Sequence, residues 1–233
     1  MPVYNEGQRV APVIRALDGA VRTPREILVV HDMDEDTTVP VVNELAAEIP
    51  GLRAHRNDLG RGVLNAMRAG IAASTGDWLL ITMADASDEP ELVDRMVAAG
   101  DASNAGVVAA SRYMKGGRQI GGPRLKGLLS RVAGLTLHWF AGVRTHDATN
   151  NFKLYSRAFL DTVTIESEAG FELALELTVK ATLAGWPVVE LPTTWRDRTA
   201  GESRFRLRQW LPHYLRWYVA ALRGRLFRRP HLR

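Results

Sequence analysis

The twelve residues LLITMADASDEP, Leu79 to Pro90, drive an apolar stretch into Asp85, Asp88 and Glu89. Carboxylates this close raise one another's pKa unless a cation or water compensates. A second apolar stretch, EILVVHDMDED, ends the same way in Asp32, Asp34, Glu35 and Asp36. Either cluster alone reads as a solvated loop. Two at the ends of buried strands read as a site, because ligands of open α/β sheets gather at the carboxyl edge of the strands. The chemistry in question is a metal-bound phosphate.

A third polar stretch, DRTAGESRF, carries two Arg and contains Gly201, so its backbone amides with Arg198, Ser203 and Arg204 suit phosphate binding. The competing reading is an exposed turn. The chain has six His, none in H-x-x-x-H spacing, and no Cys, which excludes disulfides and thiolate metal sites.

The elements that must carry these residues alternate. Strand-like EILVVHD, LRAHRN, DWLLITMAD and AGVVAAS are separated by helical patterns such as VAPVIRALDGAV, TTVPVVNELAAEI, GRGVLNAMRAGIAAS and PELVDRMVAAG. This order predicts an α/β fold with one mostly parallel, Rossmann-like sheet flanked by helices. Later come a Gly-rich loop, GGRQIGG, an amphipathic helix in LKGLLSRVAGLTLHWFAG, a helix in FELALELTVKATLAG and a strand in PVVELPTTW. No repeat or low-complexity linker divides the chain.

The 233 residues carry a net charge of +4, unevenly spread: residues 196–233 hold eleven Arg against Asp197 and Glu202, a net +9, which leaves −5 for the rest. We therefore expect a domain over residues 1–208 and a basic amphipathic helix over 209–233. No signal-peptide pattern opens the sequence, and no apolar run reaches the ~20 residues that span a bilayer. In the tail, Trp210, Tyr214, Trp217, Tyr218 and Leu222 fall near one side, with Arg216, Arg223, Arg225, Arg228 and Arg229 around or after them. That pattern suits a helix lying on an anionic membrane, or one packed on the sheet with its Arg in solvent. It also fits RNA, but no RNA-binding motif accompanies it, so no nucleic-acid partner is expected.

In order along the chain, PVYNE, VVHDMDEDTT, NDLGRGVLNAMRAGI, ASRYMKGG, DATNNFKLYSR, GFELALEL and DRTAGESRF resemble the blocks of family 2 glycosyltransferases of the GT-A fold. Within them, the chain is most similar to the polyprenyl-phosphate (dolichol-phosphate mannosyltransferase-like) enzymes. The resemblance implies an inverting transfer of a sugar from a UDP- or GDP-sugar to a membrane-embedded polyprenyl phosphate. It implies a divalent cation, Mg²⁺ or Mn²⁺, and a peripheral place on the cytoplasmic face of the cell membrane. It assigns nucleotide binding to Pro2, Tyr4, Glu6 and Asp32, with Tyr4 stacking on the base or packing in the core. It assigns Asp85 to the metal and to catalysis, and Arg198 to the leaving diphosphate. Acceptor phosphate falls to Arg112, Lys126, Arg131, Ser203 and Arg204, and Asp147 takes the acceptor-side acid position or caps the following segment with Thr149.

Three departures accompany it. The apolar strand that precedes PVYNE in the family is absent, His31 stands where Asp is common, and Met83 replaces the first Asp of an Asp-x-Asp pair. One carboxylate plus water can still hold a cation that bridges phosphates, but more weakly. Met83 also keeps open a silent nucleotide-sugar-binding subunit, and transfer to a hydroxyl acceptor is the nearer alternative. A hydroxyl needs a base, whereas a lipid phosphate is already anionic.

Overall fold

Ile27–His31 (β1) is buried at all five positions, as an apolar, β-branched run between two covered faces must be. The computed structural model describes residues 1–197 and 207–227. Ahead of β1 lies α1, Val10–Ala20, which turns Val10 and Ile14 into the core. After β1, the chain enters α2, Thr38–Ala46, with Pro40 near its start, where a missing N–H costs no helical bond. β2, Leu52–Arg56, pairs with β1 in parallel, and α3, Val63–Ala73, returns over them. Gly62 opens α3 at φ 126°, a conformation closed to side-chain-bearing residues.

The second half begins with β3, Trp78–Ile81, α4, Val93–Ser103, and β4, Val107–Ser111. Then come β5, Arg118–Ile120, and α5, Arg124–Thr136, which runs into a π-helical turn, Leu137–Ala141. β6, Lys153–Ser156, short α6, Arg157–Leu160, and α7, Leu173–Ala184, lead to β7, Val188–Pro192, β8, Thr194–Arg196, and α8, Leu207–Phe227. The strand order is β3-β6-β4-β7. β6 runs antiparallel to both neighbours, and β4 and β7 are parallel. β5 and β8 form a separate parallel pair. The architecture is α/β as expected, but the described strands fall into three sheets rather than one mostly parallel sheet, and the KLYS segment, to which the sequence pattern assigned no element, is a central antiparallel strand.

The ladder breaks between β1 and β3. Met1–Val3 caps β1 on that side: Val3 N–H donates to Val30 O at 2.9 Å and Val30 N–H to Met1 O at 2.8 Å. Beyond it lies a slot of about 280 Å³, lined by Leu28, Ile81, Leu17, Met67 and Val97 among others. The Met1 ammonium donates to Leu28 O at 2.9 Å, and burial pushes its pKa down to about 5.

The last helix docks by its aromatic side. Trp217 and Ala221 are buried against Leu137, Val143, Leu175 and Val179. Lys180 and Arg216 lie over the Trp217 ring at 4.9 and 5.1 Å. Glu166 joins both cations, at 2.7 and 2.9 Å. Tyr214 OH donates to Phe171 O at 2.7 Å, and Tyr218 OH to Thr136 Oγ1 at 2.9 Å. Of the two readings of the tail aromatics, packing on the body holds for Tyr214, Trp217 and Tyr218. Among the described residues, no helix is long and apolar enough to cross a membrane.

Candidate active site

A cleft of about 380 Å³ opens beyond the ends of β3 and β4. Met83, Asp85 and Asp88 form one wall and Arg112 and Lys126 another. Trp195, Leu129, Phe171 and Leu211 supply apolar surface.

The acidic wall is set by a tight turn. Asp85 Oδ1 accepts from Ser87 N–H at 3.2 Å and Ser87 Oγ–H at 2.6 Å. Between them Ala86 sits at φ 56°, a left-handed conformation unusual for alanine and common at functional turns. Burial, then the charge of Asp85, pushes Asp88 up to about 7. Two carboxylates that oppose one another's ionisation in this way are a donor set that a hard divalent cation favours. Asp85 and Asp88 are the hard oxygen donors on this wall, and among the described residues no cluster of three or more His, Asp or Glu joins them to hold a metal ion. The thioether of Met83 is too soft a ligand to join them.

The basic wall is held from below. Asp147, fully buried, accepts from Arg112 at three points: the backbone N–H at 3.0 Å, Nε at 2.7 Å and Nη2 at 2.9 Å. Arg112 Nη2 also donates to Ser130 Oγ at 3.1 Å, and its guanidinium lies 4.8 Å from the Tyr113 ring centroid. Burial works against both charges, yet each partner outweighs it: Arg112 is raised above its ordinary pKa and Asp147 lowered below its own. The loop that carries Asp147 is pinned in turn by buried Lys153, whose ammonium donates to the carbonyls of Asp147, Ala148 and Asn150. Burial holds Lys153 down to about 8.

The structure thus brings together Asp85, Arg112 and Lys126, and seats Asp147 behind Arg112 rather than on the cleft surface. A carboxylate so committed is not placed to take a proton from an acceptor. Arg131 is exposed on the outer side of α5 and does not line the cleft. Arg198, Ser203 and Arg204 lie outside the described residues.

Pro2, Tyr4, Glu6 and Asp32 cluster elsewhere, at the carboxyl end of β1. Pro2 bridges Val30, Tyr4 is exposed rather than packed in the core, and Glu6 N–H donates to Thr38 Oγ1 at 3.0 Å. Asp32 accepts from Asn57 Nδ2 and Gly62 N–H, both at 2.8 Å, and so organises the turn that opens α3. Sequence reading singled out neither Lys153 nor Asn57. Lys153 bonds carbonyls of the loop just before it, and Asn57 bonds Gly60 O and the more distant Asp32, so neither shows a chemical motif in the sequence.

The chain is similar to known proteins in sequence and fold. A family model described as glycosyl transferase family 2 matches residues 1–164. The polyprenol monophosphomannose synthase of Mycolicibacterium smegmatis is 30% identical, over 98% of this chain and 88% of its own. The undecaprenyl-phosphate mannosyltransferase of Micrococcus luteus is 27% identical over 97% of both chains. Among solved structures, the glucosyl-3-phosphoglycerate synthase of Mycobacterium tuberculosis, crystallised with Mn²⁺, UDP-glucose and phosphoglyceric acid, superposes with a TM-score of 0.66 at 18% identity. That match covers 96% of this chain and 77% of the other, and it speaks to the fold.

Proposed function

The chain belongs to glycosyl transferase family 2 and is a glycosyltransferase of the GT-A fold, and from that premise we propose that it transfers a sugar, with inversion, from a UDP- or GDP-sugar to a polyprenyl phosphate. The observation that carries this reading is the make-up of the cleft. An acidic wall suited to a cation faces a basic wall suited to a phosphate, and the remainder mixes apolar surface from Leu129, Phe171, Trp195 and Leu211 with polar side chains such as Gln119, Ser130 and Asn151. An acceptor with an anionic head on an apolar chain matches all three. The two relatives are named for mannose transfer, so mannose is the sugar to try first.

In this reading the phosphate oxygen of the acceptor attacks the anomeric carbon, and the nucleoside diphosphate leaves from the opposite face. A cation held by Asp85 and Asp88 would take up charge on the leaving diphosphate. Asp147 compensates Arg112 locally; Lys126, on the same wall, adds charge that attracts the acceptor, and Arg112 orients it. Arg198, Ser203 and Arg204 are proposed at the diphosphate and acceptor phosphates, and Pro2, Tyr4, Glu6 and Asp32 at the nucleotide. No base is required, since the acceptor arrives ionised. Arg131 is proposed to meet lipid phosphate outside the cleft. The basic face of α8 would hold the protein peripherally on the inner face of the cell membrane.

The test is turnover of UDP- and GDP-mannose and glucose, with Mg²⁺ or Mn²⁺, against a polyprenyl phosphate and against free sugars. A lipid-phosphate sugar product is expected. Transfer to a hydroxyl with none to the phosphate would overturn the reading.

A further inference from the structure

α5 packs inside out. Its small residues, Gly127, Ala133 and Gly134, face the body, and a Cβ on Gly134 would fall 2.0 Å from the His146 carbonyl oxygen. Its large ones face solvent: Leu125, Leu128 and Val132 are 62%, 58% and 48% exposed. The stripe has helical spacing and continues into the π-helical turn, where Trp139 and Phe140 stand 62% and 64% exposed. Exposed apolar surface of this extent marks an interaction site.

The charge around it narrows the occupant. Residues 102–146 hold seven basic side chains and no Asp or Glu. Arg112 is tied to Asp147. The other six, Lys115, Arg118, Arg124, Lys126, Arg131 and Arg144, are exposed. A protein partner or a second copy would have to present a matching acidic, apolar surface, and the exposed apolar residues of α8 sit, like those of α5, among bases. An anionic bilayer offers phosphate above and hydrocarbon beneath, the order in which a basic rim and an apolar ridge need them. The surface is also continuous with the cleft: Leu129 of α5 and Leu211 of α8 both line it and both are exposed.

We propose that the outward face of α5 and the π-helical turn, led by Trp139 and Phe140, inserts into the headgroup region of an anionic membrane and sets the cleft mouth at its surface. This deepens the functional reading above and rests on it for the purpose of that placement. α8 turns Tyr214, Trp217 and Tyr218 inward, so it adds charge and the exposed Leu215 and Val219 beside the inserting aromatics of the π-helical turn.

The test uses the full chain and vesicles of phosphatidylcholine with phosphatidylglycerol. Trp139→Ser/Phe140→Ser should lower vesicle partitioning by about tenfold or more. Arg124→Gln should weaken it at low salt only. Circular dichroism confirms folding, and Leu125→Ser/Leu128→Ser provides a second route should the first variant misfold. Turnover on a polyprenyl phosphate embedded in vesicles should fall in parallel, while turnover on a short water-soluble one is retained. Wild-type binding that α5 variants leave unchanged, and Leu215→Ser/Val219→Ser in α8 abolishes, would overturn the proposal. So would self-association through this face with no vesicle binding. Vesicle binding lost in the α5 variants, with no transfer by the wild type to either acceptor, would instead sink the functional reading and leave the membrane face standing.

Discussion

Asp147 grips Arg112 by its backbone and its side chain together, and no atom of Asp147 reaches solvent. The carboxylate therefore sets both where the strand β4 ends and where the guanidinium points. Removing it leaves a nearly buried cation without its bidentate partner. Asp147→Ala should cost about 3–5 kcal/mol, read by chemical denaturation. Arg112→Lys keeps the charge but not the planar fork, so it should raise KM for the acceptor more than it lowers kcat.

Asp85→Ala should lower kcat by about 10²–10³-fold, since a preplaced cation is lost where charge develops. Nucleotide diphosphate affinity should lose its dependence on Mn²⁺, measured by calorimetry with and without the ion. Full activity in a folded Asp85→Ala variant would remove Asp85 from the site.

Met83 lines the same cleft as Asp85. Met83→Asp should tighten Mn²⁺ binding in the presence of UDP or GDP, because it adds a hard anionic ligand. An unchanged titration in a folded variant would show that the side chain does not address the cation.

Lys153 gives a pH signature. Burial lowers it from 10.5 to about 8, so between those values the unfolded chain binds more protons at this position than the folded one. Stability then rises with pH across that window, by on the order of 3 kcal/mol for this group alone. Lys153→Met removes the group, so wild type should gain on the variant as pH climbs from about 8 to 10.5, followed by urea denaturation at each pH. A parallel course for the two proteins would mean that Lys153 is not desolvated.

Much of this was open to reading from the chain. The apolar runs that became β1 and β4 are buried along their whole length, and such runs announce themselves. The acid-ended strand β3 does run into a cleft, lined by Asp85 and Asp88. What stayed hidden depends on contacts distant in sequence. KLYS carries a Lys and is four residues long, so nothing local names it a strand; it is one because β3 and β4 flank it. Asp147 reads as an available acid until Arg112, 35 residues away, claims it. The stripe on α5 was visible by its spacing, but spacing does not say which face turns inward. The small residues opposite the stripe decide that, through the close approach at Gly134.

The slot between β1 and β3 gives the protein inner edges. Across it, among the described residues, the halves meet through side chains from the covering helices, Leu17, Met67 and Val97 among them, with no backbone ladder between β1 and β3. Cooperativity in a sheet is carried strand to strand, so this seam divides the molecule into two units that can open at different free energies. The β1–β2 unit, with its acidic end and fewer strands, is the weaker. Its amides should exchange with solvent while those of β4 and β6 remain protected, so the end of the molecule proposed for the nucleotide would breathe independently of the one proposed for the lipid.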